Sequence, residues 1–146
     1  GRGGAANASN IAVAKPERLY VLIGVNEAKN GEPKTTTSNF YKLYKKVAKN
    51  NPGFEMVILG VPPTGRYSRL NIPSAEKRKR YNREYKRFAE AHKHIYYCDA
   101  TEVLNDGNGY LSRFYDAGDG CHWSGAGTKR VMLEMKRWSK EQLGSW

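Results

Sequence analysis

An aspartate and a histidine lie three residues apart near the carboxyl end, in the segment Asp119-Gly120-Cys121-His122. An Asp at this spacing in a loop can orient the imidazole as a general base. A second segment, Gly24-Val25-Asn26, follows an apolar strand, where an Asn amide can donate to a developing oxyanion. Together they predict a hydrolytic site with His122 as base, Asp119 as its orienting carboxylate and Asn26 as an oxyanion donor. The alternatives are a structural loop histidine and an Asn that merely holds a turn.

The residue that would attack the substrate is missing from this pattern. No serine or cysteine lies on an obvious turn from a strand into a helix, where a nucleophile is commonly presented. Ser124 is two residues beyond the predicted base, but capping of the following helix explains it better. The sequence therefore predicts a base, a carboxylate and an oxyanion donor without their nucleophile.

Alternating strand and helix patterns are expected to position these residues. Three apolar runs predict strands, at Arg18–Ile23, Phe54–Val61 and His94–Cys98. The predicted helices comprise a short one at residues 8–14 and three longer ones, which begin after Thr37 or Ser38, after Ser74 and after Ser124. This order is typical of a parallel sheet with helices on both faces. Ligands bind such sheets at the carboxyl ends of the strands, where Asn26, Pro62-Pro63, Asp99 and the Asp119–His122 loop are expected to converge.

The ordered set of Gly-x-Asn, Val-Pro-Pro, a Tyr-Asn helix and Asp-Gly-x-His-x-Ser resembles the SGNH (GDSL-type) hydrolases. The resemblance implies a flavodoxin-like three-layer α/β/α fold and serine-type ester hydrolysis without a metal or an organic cofactor. It also implies that Gly4 donates a backbone N–H to the oxyanion hole. One departure is Glu27, which stands where the family pattern has Asp.

The block with the nucleophilic serine has no counterpart in this sequence. The first strands of the family fold are expected to be missing, so that residues 1–146 form a single incomplete domain. An unpaired apolar edge at Arg18–Ile23 is a second reason to expect this. A complementary amino-terminal segment is therefore predicted to carry the serine. The expected substrate is an acyl ester of a small molecule or a polysaccharide.

A net charge of +11 over 146 residues favours anionic partners. The basic residues are densest at Lys77–Arg87, within one predicted helix, where a solvated outer face would explain them without any ligand. No nucleic-acid-binding motif is present, so a nucleic acid partner is not expected. No apolar run reaches the roughly 20 residues that a membrane span needs. The compartment stays open, with a secreted or cell-envelope location favoured.

Two other functions remain open at this stage. The chain is either a hydrolase-like module that binds anionic polymer through the Lys77–Arg87 helix, or an acyltransferase that uses the same site. Cys98 and Cys121 form a disulfide or stay as two free thiols, and neither has the spacing of a metal site.

Overall fold

Three parallel strands form the sheet at the centre of the molecule. The computed structural model describes residues 17–68, 70 and 72–146, apart from the side chains of Asn26 and Glu27. Its strands are β1 (Arg18–Val21), β2 (Glu55–Leu59) and β3 (Ile95–Cys98), in the spatial order β1-β2-β3. The helices are α1 (Val25–Asn30), α2 (Pro33–Ala48), α3 (Ala75–Glu90) and α4 (Gly125–Leu143), with 3-10 helices at Ala100–Leu104 and Arg113–Tyr115.

The two faces of the sheet are covered by different helices. Met56 and Ile58 of β2 point into a core shared with α1, α2 and α3, whereas Val57 and Leu59 point into a second core against α4. Because both faces of β2 are buried, its sequence is a continuous apolar run rather than an alternating one. The predicted three-layer α/β/α class with a parallel sheet is confirmed. The predicted helix at residues 8–14 and the missing strands concern positions outside the described residues.

The carboxyl end of β2 is fixed by a side chain of α3. Val61 is followed by two prolines, which lack the N–H that a further ladder bond would need. The backbone of Val61 pairs instead with the Asn82 side chain. Asn82 Oδ1 accepts from the Val61 N–H at 2.7 Å, and Asn82 Nδ2 donates to the Val61 carbonyl at 3.2 Å. The rim of the sheet at Pro62 is thereby held against α3.

Replacing Asn82 with leucine is expected to lower the free energy of unfolding by about 1–3 kcal/mol, because the Val61 N–H loses its acceptor and the Val61 carbonyl keeps only the longer bond from Arg78. Asn82→Asp keeps an acceptor for the Val61 N–H and is expected to cost less. Urea unfolding of both variants measures this difference. Equal losses in the two variants would contradict the role assigned to the Oδ1 acceptor.

Several predicted boundaries are wrong, and each has a local cause. β1 ends at Val21, and Val25–Asn30 forms α1 where a turn and a loop were expected. α2 begins at Pro33 after an N-cap at Glu32, not after Thr37 or Ser38, because a proline fits the first helical turn, where its missing N–H costs nothing. β2 and β3 are shorter than predicted at one or both ends.

The prediction that the basic residues of α3 form a solvated outer face is wrong for Arg78. Its side chain is 7 % exposed and donates from Nη1 to Glu102 Oε1 at 2.6 Å and to the Val61 carbonyl at 3.4 Å. Arg78 therefore ties α3 to β2 and to the first 3-10 helix. Within the described ranges, no helix has the length and apolar character needed to cross a membrane.

Candidate active site

A cavity of about 800 Å³ opens at the carboxyl ends of β1 and β2. Its walls come from the segment after β1 (Leu22 to Val25), from Pro62 and Ile72, and from the loop that holds Cys121, His122 and Trp123. Three of the four segments predicted to converge do meet here. The fourth is Asp99, which begins the first 3-10 helix and does not line this cavity.

The predicted base and its carboxylate form a pair at the mouth of this cavity. His122 Nδ1 is hydrogen-bonded to Asp119 Oδ2, and Asp119 Oδ1 accepts from the backbone N–H groups of Cys121 and His122, each at 2.8 Å. A proton on Nδ1 would be held by this carboxylate, which leaves Nε2 as the ring nitrogen that can accept a proton. The His122 side chain is 74 % exposed, and Nε2 has no hydrogen-bond partner within the described part of the chain. This is the pairing geometry that the predicted general base needs.

Long-range contacts fix the loop that carries the pair. The Ser68 hydroxyl donates to the Asp119 carbonyl at 2.7 Å, and the Gly65 N–H donates to the Gly120 carbonyl at 2.7 Å. Asp116 Oδ1 accepts from the N–H of Gly120 at 3.0 Å. Neither Ser68 nor Asp116 was among the residues predicted for the site. An Asp followed at two and four residues by glycine is a signal that could have indicated the Asp116 turn.

The serines that the structure describes have other roles. Ser124 caps α4, as predicted, by accepting from the Gly127 N–H at 3.1 Å. Ser74 caps α3 in the same way, and the Ser68 hydroxyl is engaged with Asp119. None of the described serines is hydrogen-bonded to His122, so this part of the chain supplies no nucleophile in contact with the base.

The two predicted oxyanion donors, Asn26 and Gly4, lie partly or wholly outside the described residues. Asn26 is the second residue of α1, five residues beyond the end of β1, and its side chain is outside the described part. Gly4 also lies outside the described residues. Gly24, which precedes α1, approaches β2 so closely that a Cβ there would lie 2.4 Å from Val61 Cγ2. Tyr85 of α3 donates to the Ile23 carbonyl at 2.9 Å, which fixes the backbone leading into α1.

Cys121 and Trp123 flank the base and line the cavity. Burial, and secondarily the Asp119 carboxylate, raise the pKa of the Cys121 thiol, which therefore stays protonated at neutral pH and is a poor nucleophile. Burial raises the pKa of Cys98 to about 12. Of the two alternatives for these residues, the structure has two free thiols. Trp123 both walls the cavity and packs against the core beneath α4.

The loop hydrogen bonds keep Asp119 ionised. The side-chain bond from His122 and the backbone N–H groups of His122 and Cys121 lower its pKa from the ordinary 3.8 to about 2. A carboxyl whose folded-state pKa is lowered stabilises the fold above its unfolded pKa, and this contribution is lost as the pH falls through about 2. Protonation of Asp119 therefore cannot cause a loss of activity between about pH 5 and pH 7.

This gives a pH prediction for Asp119→Asn. The difference in free energy of unfolding between the wild type and this variant is expected to shrink as the pH is lowered from about 5 to about 2, because the carboxylate advantage disappears over that range. Urea unfolding at a series of pH values measures it. A difference that stays constant down to pH 2 would show that the carboxylate has no such role.

The chain is similar to a known protein family. A model of the GDSL-like lipase/acylhydrolase family matches residues 3–130. The chain belongs to this family. The predicted resemblance is thereby confirmed, and the Asp119–His122 loop lies inside the matched range. No curated protein sequence matches the chain.

Solved structures share the fold of this GDSL-like chain at low sequence identity. A Streptococcus pneumonia protein provisionally described as a platelet activating factor is 22 % identical with a TM-score of 0.77, over 90 % of this chain and 67 % of that one. A carbohydrate esterase family 3 protein from Talaromyces cellulolyticus is 10 % identical with a TM-score of 0.73, over 97 % and 66 %. The periplasmic domain of a Salmonella Paratyphi A lipopolysaccharide acetyltransferase is 14 % identical with a TM-score of 0.67, over 91 % and 60 %.

The GDSL-like chain thus spans about two thirds of the length of these structures. In the described ranges, no group of three or more His, Cys, Asp or Glu side chains is arranged to hold a metal ion.

Proposed function

We propose that this chain provides the base, the orienting carboxylate and part of the oxyanion hole of a serine-type acyl esterase. The observation that carries the proposal is the Asp119–His122 pair at the mouth of the cavity where β1 and β2 end. Family membership supports the reaction class. The substrate would be an acyl ester of a small molecule or a polysaccharide, and the site requires no metal or organic cofactor.

In this mechanism a serine hydroxyl attacks the acyl carbonyl while His122 Nε2 accepts its proton. Asp119 holds the Nδ1 proton and stabilises the imidazolium that forms. The Asn26 amide and the Gly4 backbone N–H would stabilise the tetrahedral oxyanion, with about 3 kcal/mol from each donor. His122 then protonates the leaving alcohol, and water hydrolyses the acyl-serine by the same steps.

We propose that the serine belongs to a segment that pairs with β1. β1 pairs with β2 alone among the described strands, so within the described residues its other edge has no strand partner. A parallel strand added there would end beside Gly24 and Val25, at the cavity that His122 lines. A serine following that strand would approach the base from the open side of the cavity.

The test is labelling with a serine-directed fluorophosphonate of the protein expressed in and purified from its own host, followed by peptide mass spectrometry. We expect an adduct on a serine outside residues 1–146 and hydrolysis of p-nitrophenyl acetate that is lost on labelling. An adduct on Ser9 of this chain would overturn the supplied serine. An adduct on Ser68 or Ser124 would keep the esterase but overturn the supplied serine. Neither adduct nor hydrolysis would overturn the esterase itself.

Acyl transfer is a second reaction that the same site can perform, since an acyl-serine can pass its acyl group to a sugar hydroxyl instead of water. The similar fold of a lipopolysaccharide acetyltransferase domain supports acyl transfer as this second reaction. Product analysis with a competing acceptor alcohol separates the two reactions. Transfer predicts an acylated acceptor in excess over free acid.

Binding of an anionic polymer is favoured by the uneven distribution of charge. α2 has four lysines and no acidic residue, and these side chains are exposed. On α4, by contrast, Arg130 and Arg137 are paired with Glu134 at 3.7 Å or closer. Arg80 and Arg87 of α3 are also paired, with Glu32 and Glu84. The lysines of α2, which have no ion pair among the described residues, are therefore the exposed positive charge of the face that α2 forms with α3.

Charge-matched variants test the binding of an anionic polymer. Replacing Lys42, Lys45 and Lys46 with glutamine is expected to weaken heparin binding and flatten its salt dependence. The control removes the same charge from α4, through glutamine at Lys129, Lys136 and Lys140, and is expected to retain most of the binding. Equal losses in the two variants would indicate net charge alone and contradict a dedicated surface.

A further inference from the structure

A second cleft, of about 820 Å³, lies on the other side of the Asp119–His122 loop from the cavity described above. One wall is formed by residues 65–68 and Leu70, and the other by parts of 106–120. Leu70 lines both the cavity and the second cleft, and Asp119 and Gly120 line the cleft where Cys121 and His122 line the cavity. A ligand that occupies the second cleft is therefore adjacent to the catalytic pair.

The backbone holds the two walls of the second cleft together. The Leu111 N–H donates to the Thr64 carbonyl at 3.0 Å, and the Gly65 N–H donates to the Gly120 carbonyl at 2.7 Å. The Ser68 hydroxyl adds a third bond, to the Asp119 carbonyl. Because these contacts cross between the walls, the shape of the cleft is set before any ligand arrives.

Two tyrosines of the second cleft present aromatic surface. Tyr67 is 86 % exposed, which leaves a large ring in water without a packing role. Tyr110 lies under the guanidinium of Arg66, whose Cζ is 4.8 Å from the ring centroid. Exposed aromatic rings in a concave surface are typical of binding sites, since their faces pack against the C–H groups of a ligand.

The charged groups of the second cleft are of both signs. Arg66 and Arg113 offer N–H donors, and Asp106 and Asp116 offer carboxylate acceptors. In each aspartate Oδ1 accepts a backbone N–H of its own loop, at 2.7 Å for Asn108 and for Gly118. The bond orients the carboxylate, and Oδ2 accepts no hydrogen bond from the described residues. A polyanion would be repelled by the two carboxylates, and an apolar acyl chain would be placed against four charged groups.

We infer that the second cleft binds an uncharged saccharide, as the alcohol part of the ester substrate. A sugar ring would pack its C–H face on Tyr67, while its hydroxyls accept from Arg66 or Arg113 and donate to Asp106 or Asp116. The acyl group would then lie in the cavity beside His122. The placement of the ester rests on the proposed function, but binding of the saccharide does not.

The test is saccharide binding, measured by backbone amide shifts in NMR spectra of the isotope-labelled protein purified from its own host. The probes are xylotetraose, cellotetraose and tetra-N-acetylchitotetraose at millimolar concentrations. We expect at least one probe to shift amides in residues 65–68 and 106–120. Tyr67→Ala is expected to weaken this binding about tenfold, whereas Tyr67→Phe, which keeps the ring, retains it.

Phe114→Ala is the matched control, because Phe114 is also exposed, at 72 %, but does not line the second cleft. It is expected to bind like the wild type. Absence of shifts with all three probes, or equal binding by Tyr67→Ala and the wild type, would overturn the inference. His122→Ala is expected to bind the saccharide normally, so loss of esterase activity with intact binding is distinguishable from failure of the cleft.

Discussion

Replacing His122 with alanine is expected to lower kcat/KM for p-nitrophenyl acetate by about 10³-fold, the range for loss of a positioned general base. The fold should be unaffected, because the side chain is 74 % exposed and, among the described residues, it is bonded only to Asp119 in the same loop. Turnover by the protein purified from its own host measures the effect, and far-ultraviolet circular dichroism checks the fold.

His92→Gln provides the control histidine. His92 lies between α3 and the amino end of β3, whereas His122 lies at the carboxyl ends of the strands. The His92 Nδ1 is bonded to the Phe88 carbonyl at 2.7 Å. This variant is expected to keep full activity at some cost in stability. Full activity of His122→Ala would exclude His122 as the base and leave polyanion binding as the better account of the chain.

Replacing Gly120 with alanine is expected to lower the free energy of unfolding by about 3 kcal/mol and to reduce activity at the same time. Gly120 has φ +77°, which L-residues rarely adopt, and a Cβ there would lie 2.6 Å from Ser68 Cβ and 2.9 Å from Ser68 Cα. A shift of Ser68 Cα would disturb the bond from the Ser68 hydroxyl to the Asp119 carbonyl, which fixes the Asp119–His122 loop. Urea unfolding and esterase assays of the same preparation measure the two effects.

Gly118→Ala separates backbone strain from crowding. Gly118 also has a positive φ, of +125°, but no atom lies within 4 Å of a Cβ built there. We expect it to lose stability through strain alone, about 1–2 kcal/mol, and to keep most of its activity. If both variants lost activity equally, strain in the loop rather than contact with Ser68 would be the cause.

Much of the fold was predictable because long apolar and amphipathic patterns are local. The Ser74 and Ser124 caps and the helices that begin after them need only neighbouring residues, and the structure has them as expected. α1 was missed because its six residues are too few for a helical period to show. Arg78 was assigned to the solvated face by its charge, although its spacing from Tyr81 and Tyr85 places it on the buried stripe.

The sequence by itself determined the Asp119–His122 pair, because a spacing of three residues in a tight loop brings the two side chains together without help from the rest of the chain. Tertiary structure alone decided what holds that loop and what surrounds it. Ser68 meets Asp119 across 51 residues and Arg78 meets Glu102 across 24. Such contacts depend on how the sheet brings distant loops to one end of the strands. No local pattern of residue types predicts which residues come into contact there.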